Sequence, residues 1–243
     1  MITLDSLLVV LSIHDEDINL FTLRHSHRAK RLIFKPSLRN GFEIILPRFY
    51  DDKWVLESIK TSETKIKTRL TQIKEARKEL KPTSVTLPST GNFWKIIYKG
   101  IHGKETHAIT ETSTTLEVPE KVADVLWAPM VLQNWLQKKA FEYLPKRLND
   151  VSTKLNLPYN TLRIKRQKTR WGSCSTKRNI NLNRNLMLMP SEVVDYVLHH
   201  ELVHLKVLNH SSKFWQELER SLPQFQKGLG QLRTQTIPEW ALL

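Results

Sequence analysis

Between Asp195 and Trp215 the chain reads DYVLHHELVHLKVLNHSSKFW, four histidines and one glutamate set into an apolar run. No Gly or Pro interrupts residues 192–208, so the pattern predicts a helix. Ser191 is its expected N-cap, Glu192 suits the first turn, and Asn209 is the expected end. At 100° per residue, His200 and His204 stack one turn apart on a face shared with Val193, Val197 and Val207. Val194, Leu198, Leu202 and Leu205 take the opposite side. Only a narrow wedge holding Glu192, Asp195, His199 and Lys206 is left for water. His199 therefore reads as a solvated surface histidine. His200 and His204 point among apolar groups, where an unpaired polar side chain costs several kcal/mol.

The spacing H-E-x-x-H supplies the missing partner. Two imidazoles one helical turn apart can both reach a zinc ion, each at roughly 2.0–2.1 Å. Glu201, between them, is placed to take a proton from a water beside the ion. A hydrolytic zinc site takes a third protein ligand and keeps a fourth position open. His210 is the expected third ligand, because a short turn after Asn209 brings it back at little ordering cost. Glu217 and Glu219 on the following helical stretch are the competitors.

The rest of the chain bounds the alternatives. No GxxxxGK[ST] or GxGxxG occurs in the 243 residues, which excludes the common glycine-rich phosphate loops. Lys and Arg number 38 against 24 Asp and Glu, a net charge of +14, which favours anionic partners such as nucleotides or nucleic acid. The single cysteine, Cys174, cannot form an intrachain disulfide and fits a cytoplasmic location. No run of eighteen apolar residues occurs, so no membrane partner is expected.

Residues 6–13, SLLVVLSI, read as a strand, as do RLIFKP and FEIILP, with Asn40-Gly41 marking a hairpin between the last two. Residues 52–81 read as one long helix with a stripe of Ile59, Ile66, Leu70, Ile73 and Leu80. SVTLP, FWKIIYKG and TTLEVP return to strand. A long helix then runs to about Leu155, with Pro129 near its start and Pro145 expected to kink or break it. TLRIKRQKTRWGSCS and NINLNRNL read as two strands. The change of texture near residue 120 suggests a β-rich accessory domain over 1–120, with one long helix, and a metallohydrolase domain over 121–243.

The segments RWGSCSTKRNINLN and VVDYVLHHELVHLKVLNHSSKFW resemble the YgjP-like metallopeptidase domain, a zincin group related to the SprT-like proteases. HSHRAKRLIFKP resembles the basic opening of that family. The resemblance implies an α+β zincin core: a long backing helix, a small sheet, the HExxH helix and a C-terminal helix. It implies one Zn2+ per chain on His200, His204 and His210, with Glu201 as general base. For a peptide or protein substrate, NINLN (179–183) is the expected strand along which an extended chain would pair. Two basic clusters keep a second reading open. Arg163, Lys165, Arg166, Lys168 and Arg170 form one, and Arg24, Arg28, Lys30 and Arg31 the other. Beside a zinc site these would suit a nucleotide pyrophosphatase, or a protease associated with nucleic acid.

Overall fold

The structure is a computed structural model that describes residues 2–100, 108–121, 124–167 and 169–243. It is an α+β chain that divides into two compact units, Met1–Leu80 and Lys81–Leu243.

The first unit opens with helix α1, Leu4–Val10, started by a capping box: the Thr3 hydroxyl accepts from the Ser6 amide, and the Ser6 side chain accepts from the Thr3 amide. The expected strand at 6–13 is therefore a helix. Its apolar residues alternate too poorly for a half-buried strand, and Leu7, Leu8 and Leu11 instead form one buried helical face. Strands β1 (Phe21–Ser26), β2 (Ile33–Ser37) and β3 (Gly41–Pro47) form a sheet in the order β1-β3-β2, with β1 and β3 parallel and β2 and β3 antiparallel. The hairpin expected at Asn40-Gly41 joins β2 to β3. The expected single helix over 52–81 is two, α2 (Asp52–Thr61) and α3 (Glu63–Glu79), separated at Ser62. The stripe from Ile59 to Leu80 is buried as its spacing requires.

Gly41 holds this sheet start in place. Its φ is +73°, and an added Cβ would lie 2.0 Å from the Leu20 carbonyl oxygen. Gly41→Ala combines a left-handed strain of roughly 1–2 kcal/mol with a backbone overlap of roughly 1–3 kcal/mol. The expected result is a first unit destabilised by about 2–5 kcal/mol, read as a lower urea midpoint for that unit.

The second unit begins with a sheet of β4 (Ser84–Leu87), β5 (Asn92–Gly100), β6 (Thr110–Glu111) and β7 (Thr115–Glu120) in the order β4-β5-β7-β6. Helix α4, Trp127–Leu155, backs it. The boundary lies at Leu80/Lys81 rather than near residue 120. Val85, Trp94, Ile96, Leu116 and Val118 bury into the same core as Leu132, Leu136 and Leu144 of α4, and Trp94 packs edge-on to Trp135 at 5.3 Å. The core therefore runs straight through the point where the sequence changes texture. Pro145 lies inside α4 without ending it. The residue four before it, Phe141, is 56% exposed, so water can serve the carbonyl that proline leaves unpaired. Asn156, at φ 52°, ends the helix in the left-handed conformation.

The second sheet contains β8 (Thr161–Lys165), β9 (Gly172–Cys174) and β10 (Asn179–Asn183) in the order β8-β10-β9. The stretch expected as one strand is two, β8 and β9, and the Asn183 side chain ties down Gln167 and Arg170 between them. Its Nδ2 donates to the carbonyls of Gln167 at 2.8 Å and Arg170 at 2.9 Å. β10 pairs parallel with β8 and antiparallel with β9, so NINLN is the central strand. Helices α5 (Ser191–Val203), α6 (Ser212–Ser221), α7 (Phe225–Thr234) and α8 (Glu239–Leu242) complete the unit. α5 is shorter than its apolar pattern suggests: Pro190, not Ser191, is the N-cap, and His204 is the C-cap. Among the described residues no helix is long and apolar enough to cross a membrane.

Candidate metal centre

α5 carries His200 and Glu201 on its last turn and ends on His204. The turn to α6, in which the Asn209 side chain accepts from the Ser211 amide, presents His210. The three imidazoles meet: His200 Nε2 lies 3.1 Å from His204 Nε2 and 3.0 Å from His210 Nε2. Among the described residues, these form the one group of three potential metal ligands brought together. Glu217 is turned away, its carboxylate held by Lys206 at 3.0 Å and Arg220 at 2.7 Å. Glu219 is exposed and does not join the group. Nor does Cys174, whose thiol burial pushes up to about 11 and so keeps protonated.

The ring nitrogens suit a cation. His204 Nδ1 sits 3.0 Å from the Val207 carbonyl, which can only accept, so Nδ1 carries the proton and Nε2 a bare lone pair. Between His200 and His210 only one Nε2 can hold a hydrogen at 3.0 Å, so at least two of the three nitrogens aim lone pairs at one point. Two nitrogens bound tetrahedrally at roughly 2.0–2.1 Å would stand about 3.3 Å apart, close to the spacing present. Burial lowers the His200 imidazole to about 4, helped by its two histidine neighbours, and burial also lowers that of His204. Both are thus neutral at pH 7, the form that binds metal.

Two further residues hold the rings, and neither was singled out from the sequence. Phe214, fully buried, packs against all three imidazoles with centroids at 4.9 Å from His200, 4.6 Å from His204 and 4.8 Å from His210. The Tyr196 hydroxyl lies 3.4 Å from His200 Nδ1. Both stand four residues from a histidine of the group, a spacing that could have marked them. His199 departs from expectation. α6 covers it, its Nδ1 lies 3.2 Å from the Ser221 hydroxyl, and burial lowers its pKa.

Glu201 is 5% exposed, and its Oε2 is buried without a hydrogen-bond partner. Burial pushes its carboxyl up to about 8. A buried, unpartnered carboxyl lining a cleft is the state expected of a group that exchanges protons with something bound there. Thr169, Arg170, Trp171, Gly172, Tyr196 and Leu232 are among the residues that shape this cleft, of about 230 Å³, beside His200 and Glu201.

Among curated proteins none matches this chain. Two solved structures resemble part of it, both metallopeptidase zymogens. Jannalysin of Methanocaldococcus jannaschii is 25% identical over 37% of this chain and 96% of its own, with a TM-score of 0.32. Abylysin of Pyrococcus abyssi is 26% identical over 39% of this chain and 99% of its own, also at 0.32. The YgjP-like metallopeptidase domain, by contrast, matches residues 30–235, most of the sequence. The chain belongs to the YgjP-like metallopeptidase family.

Proposed function

We propose that the chain is a zinc-dependent peptidase with a zincin-type core, in which His200, His204 and His210 hold the ion and Glu201 is the general base. The observation that carries this is the convergence of three Nε2 atoms, at 3.0 and 3.1 Å, beside a buried carboxyl with no partner. Bound there, zinc supplies a Lewis acid that polarises the scissile carbonyl and makes water a stronger acid near pH 7. The positive charge of a bound ion would bring down the carboxyl that burial raises, so that Glu201 could take the water's proton at its unpartnered Oε2 and return it to the leaving amine. Val207, through its carbonyl, and Phe214 keep the imidazoles in register, and Tyr196 stands behind His200.

The substrate strand is β9 rather than NINLN. β10 has both edges paired within the sheet, so it has no free edge for a peptide, whereas β9 is an outer strand and its Gly172 touches Glu201. The basic clusters give less support to phosphate chemistry. Arg24 is tied to Glu43 at 2.8 Å, and the family is one of peptidases. Lys168, named with the second cluster, lies outside the described residues.

Gly172 sets where the base can stand. An added Cβ would lie 2.5 Å from Glu201 Oε1 and 2.7 Å from its Cγ. Gly172→Ala is expected to push the carboxyl aside and lower kcat on the order of 100-fold, the cost of displacing a reacting group by about 1 Å. Metal content should stay near wild type, while the thermal midpoint falls by a few degrees, because the added Cβ overlaps a buried side chain.

The assay that tests this function offers purified chain casein and, separately, nucleoside triphosphates, each with and without a chelator. Casein cleavage that stops on chelation, with about one zinc per chain, is the expected result. Chelator-sensitive release of phosphate or pyrophosphate with casein left intact would overturn it.

A further inference from the structure

The cleft beside Glu201 carries positive charge that the protein itself does not neutralise. Arg170 lines it, is exposed, and its guanidinium has no ion pair or hydrogen bond among the described residues. Arg233, in the last turn of α7 next to the cleft-lining Leu232, is exposed and likewise without an acidic partner among those residues. It stands close enough to Tyr196 to counter the upward pull of burial on that phenol.

The acids of α5 other than Glu201, and Glu217 of α6, are engaged elsewhere. Glu192 holds Lys227 at 2.6 Å, Asp195 holds Arg147 at 2.8 Å, and Glu217 holds Lys206 and Arg220. Glu201, in the cleft itself, is the group the proposed reaction uses. A guanidinium at the mouth of a partly apolar cleft is built to grip a planar carboxylate through two parallel N–H···O bonds. The walls offered by Trp171, Tyr196, Val197 and Leu232 suit the methylene stem that carries such a group.

We infer that this cleft recognises a substrate carboxylate next to the scissile bond, with Arg170 as the gripping residue and Arg233 adding to the field. The inference rests on the peptidase reading and names its specificity. Two sources present that chemistry, an Asp or Glu side chain and the free C-terminus of a peptide.

The experiment separates the two sources. Mass spectrometry of a casein digest first locates the cuts, and fluorogenic peptides built on one cut are then compared in matched pairs. One pair differs by Glu against Gln at the residues flanking the bond, the other by a free against an amidated C-terminus near it. In one of the two pairs the carboxylate should raise kcat/KM by roughly 10- to 100-fold, the range of a hydrogen bond to a charged group. Arg170→Gln should bring that ratio toward one. Lys95→Gln removes an equal charge from an exposed position on β5 and should leave the ratio unchanged. Equal rates within both pairs, or a ratio that Arg170→Gln leaves intact, overturn the inference while the peptidase stands. If no peptide is cut, the peptidase reading fails instead. Calorimetric titration of Glu201→Gln with short peptides of one arbitrary sequence, differing only by Glu against Gln or by a free against an amidated C-terminus, then still decides whether the cleft prefers a carboxylate, and equal affinities overturn it.

Discussion

Glu201→Gln is expected to lower peptide hydrolysis by roughly 100- to 10,000-fold, the usual contribution of a positioned general base, while leaving the metal in place. The substitution keeps the shape and volume of the side chain. It removes the group proposed to accept and return the proton, and leaves the three imidazoles untouched. A neutral amide avoids burying a charge in a site that is only 5% exposed, so it costs the fold little. The thermal midpoint should therefore match or slightly exceed wild type. Turnover assays and metal analysis on one preparation check both halves of the expectation. Unchanged turnover would remove Glu201 from the mechanism.

His204→Ala is expected to abolish metal binding, and with it all hydrolysis. In the proposed site the residue supplies one of three ligands; it also caps α5, and its ring is fixed by the Val207 carbonyl at 3.0 Å and by Phe214. Removing a buried ring of that kind also loosens the packing, so a lower midpoint alone would say nothing about metal. The decisive readout is the response to a chelator. A metal present at 1,000 times its Kd stabilises the wild-type fold by about 4 kcal/mol, so chelation should lower its midpoint by several degrees. The variant, with no metal to lose, should unfold at one temperature with or without chelator. A chelator-dependent midpoint in the variant would mean that the ion is held elsewhere.

What the sequence made legible follows the range of the interactions involved. His200 and His204 are one turn apart and His210 six residues on, so their meeting depends on a single helix and one turn. Those distances are local, and spacing alone conveys them. The α+β character and most element positions are legible for the same reason, since helical stripes such as Ile66-Leu70-Ile73 declare themselves within a few residues. Strand order is a different matter. That NINLN lies between β8 and β9, and that β9 is the outer strand against Glu201, depends on a parallel pairing of residues 161–165 with 179–183. The boundary near residue 120 failed for a like reason. β5 pairs in parallel with β7, and their buried faces share the core of α4, a long-range arrangement that a local change of texture cannot report. The N-terminal strand failed on ambiguity instead: a short apolar run fits either state, and the Thr3 capping box tips it to helix.

Anomalous diffraction from crystals of the purified chain, recorded across the zinc edge, tests the central claim most directly. The account predicts a single peak roughly 2.0–2.1 Å from the Nε2 atoms of His200, His204 and His210, with no fourth protein ligand. A peak away from those atoms, no peak at all, or a fourth side chain closing the open position would contradict it.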